Sequence, residues 1–344
     1  MREFVNQKTG EHLRCTFALA CQSAGDGAIL DGLIECLLEE YGQTYVDKRV
    51  YDRAWMADEV AEGRLLVAGA FDERGTAAAY ICLRESPPFY GVGDLCMHVV
   101  RKRFRGFGLA APLVAWIIEQ PEADCFSAIG SHNATFHTIS QRTSYICGLR
   151  PCGMEFGLYK SEGFVHSHEN IGAKMSYAIA AMPRGRQTVS LCPVEGYSDF
   201  LEEYYKSVDT PIQWITPAPC AEKSEMDAIQ DNAHSALLLC TRRCGADLEA
   251  VVTAHIKRHE NDPLQTVTAC VELADPCAQW GCSVLEGLGF FFCGIQPFCR
   301  GKNYLLFHHP MRVEIPFDAL CIDERYARMY RRVCGAAERK AGAK

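Results

Sequence analysis

The chain has 344 residues, of which 48% are hydrophobic and 23% charged, and its formal charge is -8 at pH 7. This length suits two domains, and the composition argues against extended disorder. The negative charge argues against non-specific nucleic-acid binding, which depends on dense Lys and Arg contacts to phosphates. No apolar run reaches the roughly 20 residues needed to cross a bilayer, and residues 1–8 lack the apolar core of a signal peptide. We therefore expect a cytoplasmic protein without nucleic-acid or membrane partners.

Nineteen cysteines are scattered over both halves of the chain, unlike the compact disulfide framework of a small secreted domain. No Cys-x-x-Cys pair occurs, and Cys240-x-x-x-Cys244 lacks a partner pair at zinc-finger spacing. The pattern favours buried, reduced thiols and predicts no metal site. A cysteine-rich metal or redox protein is the alternative interpretation.

The first quarter of the chain contains two helix patterns and then two strand patterns. Apolar residues at helical spacing predict an amphipathic helix over 31–41 and another over 53–62, which ends at Gly63. Apolar runs at 64–71 and 76–84 predict two strands, and the break between them carries the turn residues of a hairpin.

A third strand is predicted over 94–100, directly before a basic loop that contains two glycines. Strand alternation places the odd-numbered residues from Leu95 to Val99 on one face and the even-numbered residues from Asp94 to His98 on the other. After the loop, the pattern predicts a helix over 109–119, a short strand over 126–129 and a helix over 139–147.

The segment 182–187, Met-Pro-Arg-Gly-Arg-Gln, is typical of a linker. We therefore place a domain boundary there, with domains at 1–183 and 188–344. Both halves share an order in which strand pairs precede a helix and further strands, which indicates an α/β (α+β) protein built from two related folds. In the second half we predict strands over 248–256, 266–273, 290–295 and 304–307, and helices over 279–288 and 323–334.

A strand, an Arg-x-x-Gly-x-Gly loop and a helix together can hold a pyrophosphate. The glycines let the backbone approach the ligand, and the first N–H groups of the helix point at the anion. Arg101, Lys102, Arg103 and Arg105 add positive charge. No lysine follows Gly108, which excludes a Walker loop, and the third glycine of a dinucleotide fingerprint is missing. A basic turn that only caps the helix is the alternative.

Residues 100–109, Val-Arg-Lys-Arg-Phe-Arg-Gly-Phe-Gly-Leu, resemble the acetyl-CoA pyrophosphate motif of the GNAT superfamily of N-acetyltransferases. The order of the surrounding elements agrees over roughly residues 10–180. Segments 40–45, 135–141 and 288–297 are similar to bacterial proteins with two GNAT-like domains in tandem. Some of those proteins also carry an ATP-binding regulatory kinase domain, which is absent here, so the resemblance implies no ATPase role.

The resemblance implies two GNAT-like acyl-CoA N-acyltransferase folds in tandem, each with a mixed central sheet flanked by helices. The second half has no basic glycine loop, so its fold would be degenerate. The implied reaction transfers an acetyl group from acetyl-CoA, as co-substrate, to an amine-bearing small molecule or protein by direct attack. The implied cofactor-binding residues are Val99, Val100, Arg101, Arg103, Phe104, Arg105, Gly106, Phe107, Gly108, Leu109 and Ser140, with a main-chain N–H near Val99 or Val100 facing the thioester carbonyl.

The candidate catalytic residues are Asp94, His98 and Tyr145. Asp94 or His98 could deprotonate the amine through water, although an exposed acid and a core histidine are open alternatives. The usual acid of the family is a tyrosine four residues before the glycine at the helix end, a position held here by Ser144. Tyr145 lies about 100° further around the helix, where it could act as the acid or belong to the core. A non-catalytic acyl-CoA-binding sensor is the alternative function.

Overall fold

The first half of the chain contains eight strands and four helices among the residues that the structure describes. The structure is a computed structural model and describes residues 1–20, 26–85, 87–161 and 172–341. The elements are β1 (Arg2–Val5), β2 (His12–Ala20), α1 (Asp26–Tyr41), α2 (Arg53–Ala61), β3 (Leu65–Asp72), β4 (Ala77–Glu85), β5 (Val92–Val100), α3 (Ala110–Ile118), β6 (Ala128–Ala134), α4 (Ile139–Ile146), β7 (Arg150–Lys160) and β8 (Lys174–Pro183).

The second half continues directly after β8 with seven strands and four helices. These are β9 (Val189–Leu191), α5 (Ser198–Ser207), β10 (Ile212–Trp214), β11 (Glu225–Asp231), β12 (Ala236–Arg243), α6 (Leu248–His259), β13 (Thr266–Glu272), α7 (Ala278–Gly287), β14 (Phe291–Cys299), β15 (Lys302–His309) and α8 (Ala327–Ala341). Within the described ranges, none of the helices combines the length and apolarity needed to span a membrane.

Local sequence signals explain the elements of the first half that were predicted. Helix α2 begins after Asp52, whose side chain accepts hydrogen bonds from the N–H groups of Ala54 and Trp55. It ends before Gly63, which has a φ of +70°. In the β3–β4 hairpin, the Asp72 carboxylate accepts from the main chain of the turn, at 2.7 Å from the Thr76 nitrogen. The predicted helices and hairpin are confirmed here.

The strand predicted over 248–256 is wrong, because helix α6 occupies this segment. Its Val-Val-Thr run at 251–253 is typical of strands, yet the buried residues are Leu248 and Val252, which lie four positions apart on one side of a helix. The flanking strands β12 and β13 are parallel and need a crossover connection between them. Tertiary context therefore overrides local propensity at this position.

Thirteen strands form one continuous sheet, and β9 and β10 form a separate parallel pair. Helices α1 and α2 cover one face of the first half of the thirteen-stranded sheet, with a hydrophobic cluster that includes Leu33, Leu37 and Met97. We call this the α1 face. Helix α3 covers the opposite face, the α3 face, with Leu113 and Ile117. The strand order is β1-β2-β3-β4-β5-β6-β8-β7-β14-β15-β13-β12-β11.

A wedge opens in the sheet between β5 and β6. These parallel neighbours pair over only four residues, from Val92 to Leu95 of β5. Beyond Leu95 the two strands are no longer paired, although β5 remains paired with β4 as far as Val100. The second part of β5 therefore has a free edge that faces residues 132–134 of β6.

A β-bulge lies on the free part of β5. Met97 has a φ of +50°, and the pairing of β5 with β4 shifts between Val99, opposite Tyr80, and Cys96, opposite Cys82. Two residues of β5 thus stand against one residue of β4, which reverses the alternation of side chains beyond that point.

The bulge corrects the predicted faces of this strand. Leu95 packs on the α3 face, whereas Met97 and Val99 pack on the α1 face, so these three residues do not share a face. Because neighbouring residues alternate, Asp94 lies on the α1 face and His98 on the α3 face. The expectation that Asp94 and His98 share a face is therefore wrong.

Five strands of the second half repeat the order and directions of five strands of the first. The series β4-β5-β6-β8-β7 corresponds to β11-β12-β13-β15-β14, and in each series the second and third strands are parallel while the other neighbours are antiparallel. The two series meet where Gly153 of β7 lies opposite Gly294 of β14. A Cβ atom on Gly153 would lie 2.9 Å from the Cys293 carbonyl oxygen, so this junction requires glycine.

Candidate active site

The loop between β5 and α3 presents a row of main-chain N–H groups. Gly106 and Gly108 have φ values of +91° and +75°, which few other residues adopt. No acceptor among the described residues faces the N–H groups of residues 106–111. Phe104 and Leu109 are buried and anchor the two ends of the loop in the core. The loop therefore has the free donors that an anion site needs.

The basic residues of the loop divide into two groups. Arg101 pairs with Glu35 at 3.1 Å and with Glu39 at 3.0 Å. Arg105 pairs with Glu40 at 2.5 Å, so these two arginines hold the loop against α1 and are already neutralised.

Arg103 and Lys102 form the second group, since neither has an ion-pair partner within the described part of the chain. The Arg103 guanidinium lies 4.6 Å from the ring centroid of Phe104. Arg103 and Phe107 both line a surface cavity of about 430 Å³ beside the loop. Arg103 and Lys102 are therefore the basic residues of the loop that no described carboxylate neutralises.

The wedge presents one further main-chain donor. The N–H of Arg101 donates to the Ala78 carbonyl of β4 at 3.0 Å. Successive N–H groups of a strand point to opposite edges, so the N–H of Val100 points into the wedge and that of Val99 points to β4. Of the two residues considered from the sequence, the geometry thus favours Val100 as the donor.

His98 and Ser140 lie on the cofactor side of the wedge in our interpretation. Burial, with a smaller contribution from the nearby His137, lowers the pKa of His98 to about 4. Neither the His98 Nε2 nor the Ser140 Oγ has a hydrogen-bond partner among the described residues, although both atoms are buried. Buried polar atoms of this kind call for a partner. His98 is then a neutral hydrogen-bonding group and a weak proton acceptor.

Three ionisable side chains from three strands meet on the α1 face. The Asp94 Oδ1 lies 3.0 Å from the His132 Nδ1, and the His132 Nε2 lies 3.3 Å from a carboxylate oxygen of Glu155. Their side chains are only 17%, 27% and 17% exposed. We call this set the Asp94–His132–Glu155 cluster. The sequence pattern singles out Asp94 alone.

The cluster is held in a defined protonation state by its own charges. Burial by itself would lower the pKa of His132, but the Asp94 carboxylate, which also accepts its hydrogen bond, and the Glu155 carboxylate outweigh this and raise the pKa to about 9. Burial raises the pKa of Glu155, while His132 opposes this effect. At neutral pH an imidazolium therefore stands between two carboxyl groups.

The raised pKa of His132 makes a testable contribution to stability. Because the pKa of His132 is higher in the folded protein, its bound proton stabilises the fold. This stabilisation is complete below the pKa of 6.5 in the unfolded chain and is lost as the pH rises through about 9. We expect the wild type to have a higher free energy of unfolding than His132→Gln. This difference should be larger at pH 6 than at pH 10, by up to roughly 3 kcal/mol. Urea unfolding of both proteins at the two pH values measures this. A difference that does not change with pH would contradict the assignment.

Tyr145 has contacts that fit a structural role. Its ring lies 4.6 Å from the Arg150 guanidinium and 5.7 Å from that of Arg325. Ser144, at the customary tyrosine position, donates instead to the Asn133 Oδ1 at 2.9 Å. Tyr145 therefore faces the segment before α8, and these contacts favour the core interpretation of this residue over the acid.

The corresponding loop of the second half, between β12 and α6, is filled by the chain itself. The N–H of Gly245 donates to the Ser224 hydroxyl at 2.9 Å, and that of Ala246 donates to the Ala221 carbonyl at 2.8 Å. Asp247 adds a carboxylate, which accepts from the Ser224 N–H at 2.7 Å. Strands β12 and β13 also stay paired over six residues, so no wedge opens between them.

Comparison with known proteins finds one family match, in the first half of the chain. Residues 30–139 match the Acetyltransferase (GNAT) family. No curated protein matches the chain. A mixed α/β fold is present, with GNAT acetyltransferases as structural neighbours over about half of the chain.

Three solved structures illustrate this likeness. A GNAT superfamily phosphinothricin acetyltransferase of Sinorhizobium meliloti in complex with acetyl-CoA is 18% identical, with a TM-score of 0.37, over 49% of this chain and 89% of that one. The ribosomal-protein-S18-alanine N-acetyltransferase of Escherichia coli is 12% identical, with a TM-score of 0.37, over 50% and 96%. An N-acetyltransferase of Staphylococcus aureus Mu50 is 11% identical, with a TM-score of 0.36, over 49% and 96%. The match to the Acetyltransferase (GNAT) family thus covers residues 30–139, about a third of the chain.

Proposed function

We propose that the protein is an N-acetyltransferase that transfers the acetyl group of acetyl-CoA to an amine. The observation that carries this proposal is the wedge between β5 and β6. Beyond one end it has a row of N–H donors at residues 106–111, for which the described part of the chain offers no acceptor, and the Asp94–His132–Glu155 cluster lies where the two strands begin to separate.

The chain offers suitable groups for acetyl-CoA along the wedge. The N–H groups of residues 106–111, with Lys102 and Arg103, would hold the pyrophosphate. His98 and Ser140, whose buried polar atoms have no partner in the described ranges, would meet the polar groups of the pantetheine arm. The N–H of Val100 would polarise the thioester carbonyl.

The Asp94–His132–Glu155 cluster supplies the acid–base chemistry. An amine can attack only after it has lost a proton, and Asp94 is the member of the cluster that lies on β5 itself, so it takes this proton, directly or through water. His132 can pass a proton between Asp94 and Glu155. The amine nitrogen then bonds to the carbonyl carbon, the carbon–sulfur bond breaks, and its electron pair leaves with the sulfur, which takes up the proton that the new amide nitrogen loses. No protein nucleophile takes part.

The second half, residues 188–344, is in this proposal a degenerate GNAT-like domain that follows the cofactor-binding domain of residues 1–183. Its support is the repeated strand order together with the filled loop at Gly245 and Ala246. Such a domain would bind no acyl-CoA, so one chain should bind one acetyl-CoA.

Incubation of the protein with acetyl-CoA and a panel of amines tests the proposal. We expect acetylated amine and free CoA in equal amounts, and calorimetry should give one acetyl-CoA per chain. Tight binding of acetyl-CoA without transfer to any amine would favour an acyl-CoA-binding sensor. The structural contacts of Tyr145 are the observation that supports this alternative. Failure to bind CoA at all would contradict both functions.

A further inference from the structure

Two cysteines of the second half form a disulfide bond. Cys220 lies in the segment between β10 and β11, and Cys277 lies directly before α7, 57 residues further along the chain. Their Cα atoms are 5.3 Å apart, which is within the usual range for a disulfide. The other cysteines that the structure describes are free. The pair is therefore an exception to the reduced thiols that the sequence pattern favours.

Residues 216–224, which we call the strap, have little hold on the hydrophobic core. Cys220 packs against the core, whereas the two prolines of the strap and most of its other side chains are exposed. The N–H of Ala218 donates to the Pro276 carbonyl at 3.1 Å. Because so little apolar surface is buried here, the bond to Cys277 is the strongest link between the strap and the start of α7.

The strap is also the segment that fills the loop between β12 and α6. The residue after Cys220 is Ala221, whose carbonyl accepts from the Ala246 N–H at 2.8 Å. The Ser224 hydroxyl accepts from the Gly245 N–H at 2.9 Å. A Cβ atom on Gly245 would overlap the main chain of the strap, so the two backbones are in direct contact. The disulfide thus fixes the segment that occupies this loop.

The two sulfur atoms differ in accessibility. Cys220 is partly exposed, whereas Cys277 is only 6% exposed, so an incoming thiolate reaches Cys220 first. Its sulfur bonds to the Cys220 sulfur, the bond between Cys220 and Cys277 breaks, and the electron pair leaves with the Cys277 sulfur, which takes up a proton. A second thiol then attacks the mixed disulfide and frees Cys220. Two external thiols are oxidised to one disulfide in the process.

We propose that the Cys220–Cys277 disulfide is a redox-exchangeable link, and that its reduction by a small thiol or dithiol releases the strap from the loop between β12 and α6. Without the covalent bond, the strap keeps only a few hydrogen bonds, each of which contributes little against water. It also gains conformational freedom when it leaves. The N–H groups of Gly245 and Ala246 then lose their acceptors. This inference does not depend on the proposed acetyltransferase function.

Hydrogen exchange of the oxidised and the reduced protein tests the release. The protein is equilibrated with oxidised glutathione or with dithiothreitol, and mass spectrometry of its peptides identifies the linked cysteines. We expect Cys220 to be linked to Cys277 after oxidation. After reduction, amide exchange in residues 218–224 and 245–246 should be at least about 10-fold faster, while exchange in β14 stays the same.

Three results would overturn the inference. The first is that Cys220 and Cys277 remain free thiols in the oxidised protein. The second is that exchange in the strap does not change after reduction. The third is an equal acceleration in β14, because it would show a general loss of structure instead of a local release.

The role of the disulfide is tested separately with Cys220→Ser, which keeps the size of the side chain and removes the bond. Its strap should exchange as fast as that of the reduced wild type and should not respond to dithiothreitol. Cys125→Ser is the control, since Cys125 is an exposed, free cysteine of the first half, and it should behave as the wild type in both states. A strap in Cys220→Ser that stays as protected as in the oxidised wild type would show that the hydrogen bonds alone hold it.

Discussion

Replacement of Gly106 by glutamate is expected to abolish acetyl-CoA binding, with a dissociation constant at least about 100-fold higher. Gly106 has a φ of +91°, and a Cβ atom there would lie 3.1 Å from the Asn6 side-chain nitrogen. A side chain would therefore strain the loop and move its N–H groups. The new carboxylate would also stand where the proposed pyrophosphate binds. Isothermal titration calorimetry with CoA measures the loss.

The matched control for this variant is Gly185→Glu. Gly185 also has a positive φ, of +70°, and no atom lies within 4 Å of an added Cβ, so the control carries the same backbone strain and the same charge away from the loop. Both variants should unfold at similar temperatures. Unchanged CoA affinity in a folded Gly106→Glu protein would place the cofactor site elsewhere.

Replacement of Asp94 by asparagine should lower kcat for acetyl transfer by about 100-fold or more, which is the usual contribution of a general base. Asparagine keeps the size of the side chain and an oxygen that can accept from His132, now 3.0 Å from the Asp94 Oδ1, but it cannot take a proton. Steady-state kinetics with a fixed amine measure the change. Acetyl-CoA affinity should not change, because the cofactor would lie on the other side of the wedge.

Asp227→Asn is the control for Asp94→Asn, since Asp227 is a half-exposed carboxylate on β11 that pairs with Arg242. It should behave as the wild type. If Asp94→Asn retains full kcat while Glu155→Gln loses it, Glu155 is the base and the role assigned to Asp94 is wrong. If both variants retain full activity, the cluster takes no part in the chemistry.

Structural features that neighbouring residues encode were predicted well from the sequence, whereas contacts between distant segments were not. The loop at 101–108 combines its strand, charges and glycines within a few residues, so the sequence alone was enough to propose an anion site there. Helix α6 was mistaken for a strand because Val251 and Val252 favour strands locally, whereas its crossover position between β12 and β13 decides for a helix. Strands β11 and β12 were missed, as was the pairing of the two halves.

The sequence by itself determined the loop proposed to bind phosphate, the helices and hairpin of the first half, and Asp94 as a candidate base. Only the tertiary structure decided which groups meet at the site. His132 and Glu155 come from β6 and β7, and strand register brings them to Asp94 of β5. A bulge at Met97 placed His98 on the opposite face from Asp94. Ion pairs with glutamates of α1 neutralise Arg101 and Arg105 beside the proposed anion site. The physical reason is that such contacts depend on pairing between distant segments, which no local pattern encodes.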